Sequence, residues 1–175
     1  MRWVENMRLY RVAAFLLALL GFGISFIGNA DSREAVRFGG YQAGTIVVKT
    51  SERRLYLVLG DGKALRYPVG VGKAGKKWAG QTYIDGKHRN PAWAPPREVK
   101  RDNPNLPDVI PGGSPRNPMG VAALTLSGGE YAIHGTNVPS SIGGFVSYGC
   151  IRMFNQDVAD LYNRVSVGTP VIVTR

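Results

Sequence analysis

Cysteine is nearly absent from this chain. Cys150 is the only one among 175 residues, so no disulfide can close within the chain. Histidine is almost as rare, with His88 and His134 alone. With two histidines, one cysteine and no C-x-x-C, H-x-H or H-E-x-x-H spacing, no standard metal site is expected. Acidic side chains are also scarce, 12 against 22 basic ones, a net charge of +10. That balance suits a polyanionic neighbourhood or plain solubility. Nucleic acid is not the expected partner, because the basic residues form no recognisable binding motif and the leader points to export. No βαβ rhythm and no internal repeat is visible, which argues against a parallel α/β sheet.

One uncharged run does occur, Val12 to Ile27, preceded by Arg2, Arg8 and Arg11 and followed by the small residues Gly28 and Ala30. This is the layout of an export signal over residues 1–30, with an uncleaved N-terminal anchor as the alternative. Either places the rest of the chain outside the cytoplasmic membrane, in the periplasm or cell envelope, with membrane contact only through this segment. Without Arg2, Glu5, Arg8 and Arg11 the remainder carries +8. Residues 31–43 look like a polar linker, and 44–175 like one domain able to bury its own core.

From Gly44 the texture is β. Thr45–Lys49 is β-branched, and Arg54–Leu59 alternates, with Leu55, Leu57 and Leu59 predicted on one face. "GDGK" marks a hairpin turn, Leu65–Val71 continues the meander, and Gln81–Gly86 is a further strand. Residues 88–118 hold eight of the eleven prolines. A long irregular stretch of this kind is expected to be a semi-rigid lid or wall, with Trp93 packing beneath it or facing a ligand. Two strands follow, joined by a turn at Ser127–Glu130, and His134 ends the second. Asn155 is a candidate N-cap for a short helix that buries Val158, Leu161, Tyr162 and Val165, with Gly168 as its stop. "TPVIVTR" is a last strand. The expected class is mostly β with one or two short helices.

An unpaired cysteine in an exported chain needs a reason. A small buried hydrophobe is one. The other is a nucleophile, which needs a base and an orienter for that base. Gly149 lets the chain turn sharply before Cys150, where backbone N–H groups can form an oxyanion hole. His134 ends an apolar strand, whereas His88 sits in a cationic, loop-like run that suits the surface. Ser140, Ser141 and Ser147 lack a G-x-S-x-G context and suit turn hydrogen bonds, with Ser147 also placed to shape a thiol pocket. The residues favour a thiol acyl-transfer site and leave a structural cysteine open.

The stretch "IHGTNVPSSIGGFVSYGCIRMFNQDVADLY" resembles the active-site signature of the YkuD-type L,D-transpeptidase catalytic domain. "PAWAPP" and "PGGSPRNPMGVAALTL" resemble its upstream elements, and the likeness runs from about Thr45 to the C-terminus. It implies a YkuD-like β-sandwich or open barrel. It implies Cys150 as nucleophile, His134 as base, the Gly135 carbonyl as orienter, and the N–H groups of Gly149 and Cys150 as oxyanion donors. Arg152, Tyr148, Ser147 and Trp93 are the implied substrate-facing residues; Tyr148 stands where the family usually has histidine. No cofactor is implied. The implied substrate is a peptidoglycan tetrapeptide stem, attacked at its third residue with release of D-Ala. The acceptor is an amine of another stem, an envelope protein, or water. A non-catalytic peptidoglycan-binding module is the reading from a different class.

Overall fold

The computed structural model describes residues 33–175, so the leader expected over 1–30 lies outside the described residues. Eleven strands and two helices follow in chain order: β1 (Glu34–Arg37), β2 (Ile46–Lys49), β3 (Arg54–Gly60), β4 (Lys63–Pro68), β5 (Val71–Gly72), β6 (Gly80–Arg89), α1 (Arg97–Asp102), β7 (Ala122–Leu126), β8 (Ala132–His134), β9 (Phe145–Ser147), β10 (Ile151–Arg152), α2 (Asn155–Arg164) and β11 (Pro170–Thr174). The domain is mostly β with two short helices, the expected class. Nine strands form one sheet in the order β1-β4-β3-β2-β11-β6-β7-β8-β10, and β5 pairs with β9 separately. The large sheet is mixed: β11 runs parallel to β2, and β10 parallel to β8.

Strand alternation sends Ile46, Val48, Leu55 and Leu57 into the main core, where they meet Val158 and Leu161 of α2. Val47, Tyr56, Val58 and Ala64 face the other way and form a second, smaller core. That second face needs a cover, and the segment predicted as a linker supplies it. Glu34–Arg37 adds an edge strand antiparallel to β4, and Phe38 stacks on Tyr56 with ring centroids 4.2 Å apart. Leu59 also departs from the prediction. The β3–β4 register shifts between Val58 and Gly60, which turns Leu59 into solvent at 48% exposure.

The strand predicted over 81–86 extends to Arg89, so His88 stands on β6 rather than in a loop, and is exposed. Asn155 is not an N-cap but the first helical residue, after Phe154. Its side chain has another use, described below. The proline-rich stretch contains α1 and is otherwise irregular, but it is tied down. The Asn117 side-chain amide donates to the carbonyls of Pro91, Ile110 and Pro111, at 2.8, 3.2 and 3.0 Å, while its oxygen accepts from the Met119 N–H. Trp93 and Ile110 exchange backbone hydrogen bonds across the same loop.

Candidate active site

The parallel pairing of β8 with β10 builds the site. Ile133 lies opposite Ile151, and His134 opposite Arg152. Alternation buries both isoleucines in the core and turns His134 and Arg152 to the opposite face. Cys150, two residues before Arg152, shares that face. All three line one cavity of about 340 Å³. Its walls include Trp93, Pro96, Glu98 and Val99 from the proline-rich stretch, the Gly128–Tyr131 turn, and Lys76. A volume of this order suits a small-molecule or peptide-end substrate.

His134 is 4% exposed, and its Nδ1 lies 2.7 Å from the Gly135 carbonyl. A carbonyl only accepts, so Nδ1 carries the hydrogen and Nε2 of the neutral ring keeps its lone pair. Burial pushes the imidazole pKa down to about 4; the Gly135 carbonyl opposes this and the Arg152 charge adds to it. Burial also raises the Cys150 thiol above its usual range, partly offset by a backbone hydrogen bond at Ala132 and the Arg152 charge. The resting pair is therefore a neutral thiol and a neutral imidazole. The Arg152 guanidinium is itself partly desolvated, and its Nε has no hydrogen-bond partner among the described residues.

The orienting carbonyl is fixed from behind. Gly135 O and Thr136 N belong to one peptide unit, and Thr136 N–H donates to Asn155 Oδ1 at 3.1 Å. The same oxygen accepts from Val121 N–H at 3.4 Å. Gly120 and Gly135 admit this side chain, since a Cβ on either would lie 2.2 Å from Oδ1. Asn155 thus holds the turn after His134 instead of capping α2.

Around the thiol, the bonds differ from those expected of an oxyanion hole. Ser147 Oγ donates to the Cys150 carbonyl at 2.6 Å and accepts from the Gly149 N–H at 3.1 Å. The Gly149 N–H is thereby spent inside the turn, and so is the Ser147 hydroxyl, which is 2% exposed. Cys150 N–H donates to no described group. Trp93 is half-buried and lines the cavity, as does Tyr148. The Tyr148 hydroxyl donates to Asp102 at 2.8 Å, and Lys73 Nζ sits 3.7 Å from its ring centroid. With the Lys76–Glu98 ion pair, this ties α1 across the cavity. Lys76, Glu98 and Tyr131 in the cavity wall, and Asp102 and Trp78 behind it on Tyr148 and Gly149, had no signal in sequence, because only folding brings them there. No group of three or more histidine, cysteine or acidic residues suited to a metal occurs among the described residues.

The family model described as the L,D-transpeptidase catalytic domain, YkuD, matches residues 43–173. The chain is 41% identical over 135 residues to the "Probable L,D-transpeptidase ErfK/SrfK" of Escherichia coli (strain K12), covering 72% of this chain and 42% of that protein. It therefore spans less than half the length of that curated relative. A solved structure from Brucella melitensis, described as a probable carnitine operon oxidoreductase, is 41% identical with a TM-score of 0.54, covering 81% of this chain and 92% of that one. L,D-transpeptidase 3 from Mycobacterium tuberculosis, solved in complex with a faropenem-derived adduct, gives a TM-score of 0.56 at 17% identity. It covers 75% of this chain and 60% of that one, a likeness of fold alone.

Proposed function

We propose, from the premise that the chain belongs to the YkuD family of L,D-transpeptidase catalytic domains, that residues 44–175 catalyse acyl transfer between peptidoglycan stem peptides through Cys150. The observation that carries this reading is the pairing of β8 with β10, which brings together His134, at the end of β8, and Cys150, the residue just before β10. Cys150 and His134 line one cavity, and the imidazole is locked as the Nδ1–H form by Gly135.

The resting pair is neutral, so proton transfer accompanies attack instead of preceding it. Cys150 Sγ adds to the carbonyl of the third stem residue as its proton passes to His134 Nε2. Negative charge gathers on the carbonyl oxygen. The free Cys150 N–H is the donor for that oxygen, since the Gly149 N–H is committed to Ser147. Arg152 lines the cavity and adds positive potential beside the sulfur, where its guanidinium can meet substrate. Collapse breaks the amide bond, and the imidazolium returns its proton to the departing amine of D-Ala. An acceptor amine then attacks the thioester and His134 takes its proton; as the C–S bond breaks, the imidazolium passes that proton to the departing sulfur, which restores the thiol and the neutral ring. Every step uses side chains and backbone of this chain, without a cofactor. Residues 1–30 serve as export signal or anchor and place the domain in the periplasm or cell envelope, where its cationic surface meets anionic polymers.

The test is to incubate the protein with a tetrapeptide-stem muropeptide and follow products by liquid chromatography with mass detection. Free D-Ala with a 3-3 cross-linked dimer supports transfer between stems. D-Ala with only the tripeptide stem assigns water as acceptor. No D-Ala, with stem binding retained, leaves a non-catalytic peptidoglycan-binding module.

A further inference from the structure

Trp78 lies behind the nucleophile and is not part of the cavity wall. Its indole N–H donates to the Gly149 carbonyl at 2.9 Å. That carbonyl and the Cys150 N–H are two ends of one peptide unit. A trans peptide is planar, so its C=O and N–H point in opposite directions. Holding the carbonyl therefore sets the direction of the Cys150 N–H. The unit needs holding, because Gly149 sits at φ +130, a region that glycine enters without penalty and also leaves easily.

The brace is itself fixed. The Trp78 ring stacks on Tyr131 with centroids 5.2 Å apart and planes 9° apart. Tyr131 in turn lies against Gly149, where an added Cβ would fall 2.2 Å from the ring. The neighbouring donor is occupied, as the Gly149 N–H bonds Ser147 Oγ. The Cys150 N–H is left as the donor whose aim matters, and a hydrogen bond to its carbonyl partner also polarises it.

We propose that Trp78 is a positioning residue, which aims the Cys150 N–H at the developing oxyanion by holding the Gly149 carbonyl. This rests on the reading of Cys150 as the acylated nucleophile.

Trp78→Phe keeps an aromatic ring on Tyr131 and removes the donor. Two reactions of the same thiol separate the roles. Acylation by faropenem passes through an oxyanion, whereas alkylation by iodoacetamide does not. The expected result is a fall of roughly ten- to a hundred-fold in the acylation rate, with the alkylation rate unchanged. If Trp78→Phe fails to fold, 3-benzothienylalanine at position 78 keeps the ring size, replaces N–H by sulfur, and carries the same expectation. Acylation at the wild-type rate, or acylation and alkylation falling together, overturns the proposal. Failure of the underlying reading looks different: the unaltered protein would form no faropenem adduct, or Cys150→Ala would still form one, and the proposal would fall with it.

Discussion

Acidification between pH 6.5 and 4 weakens the fold through His134 in a calculable way. The ring is buried, and its pKa drops from 6.5 to about 4. A depressed value means that the unfolded chain takes up a proton that the folded chain refuses. The contribution is fully present above pH 6.5 and is lost as pH falls toward the folded value. At pH 4.5 the unfolded state is almost fully protonated at this residue and the folded state only in part, a loss of about 2.5 kcal/mol relative to pH 7. Carboxylates with lowered values, such as Glu52 and Asp160, act in the same direction from about pH 5 downward, and the comparison with a variant that lacks only the imidazole removes their share. Urea unfolding at half-unit pH steps measures it. His134→Asn is the reference, since its amide can donate to the same Gly135 carbonyl without titrating. The wild-type curve should fall away from the variant by about 2.5 kcal/mol at pH 4.5. Parallel curves would refute the burial and neutrality of His134, and with them the neutral resting pair.

Acylation by faropenem should hold its rate from neutral pH down and fall through about pH 4, as His134 loses its base form; an acid limb near 6.5 would contradict a buried base. Asn155→Ala removes the acceptor for Thr136 N–H and should cost about 1–3 kcal/mol by urea unfolding, with acylation slowed because the Gly135 carbonyl is no longer fixed. Gly149→Ala places a Cβ 2.2 Å from Tyr131 at φ +130, so thermal unfolding should move down and acylation should be lost. Tyr148→Phe cuts the bond to Asp102, and amide exchange across Arg97–Asp102 should quicken while core strands keep their protection.

Cys150 and His134 stood out in sequence for a chemical reason: both are rare here, and both fall in a contiguous run of 22 residues, 134–155, whose residue types suit turns rather than core. The strands were legible because alternation is a local property, as at Arg54–Val58. Leu59 escaped because a register shift depends on the partner strand. Glu34–Arg37 escaped because an edge strand with charged ends has little periodicity, and its cover for Tyr56 comes from Phe38 and Tyr41 after folding. Asn155 carried the signature of a cap, yet the glycines at 120 and 135 opened a better use for its oxygen. The spacing of Gly149 and Cys150 suggested two oxyanion donors, but the Ser147 hydroxyl claims one of them. Trp78 gave no hint, since its role depends on a carbonyl 71 residues away.

The most direct test of Cys150 as the acylated nucleophile is intact-mass spectrometry after incubation with faropenem, beside Cys150→Ala. The account predicts one covalent adduct per chain, mapped by peptide digestion to the fragment holding Cys150 and missing from the variant. An unmodified protein, or an adduct that survives Cys150→Ala, would contradict it.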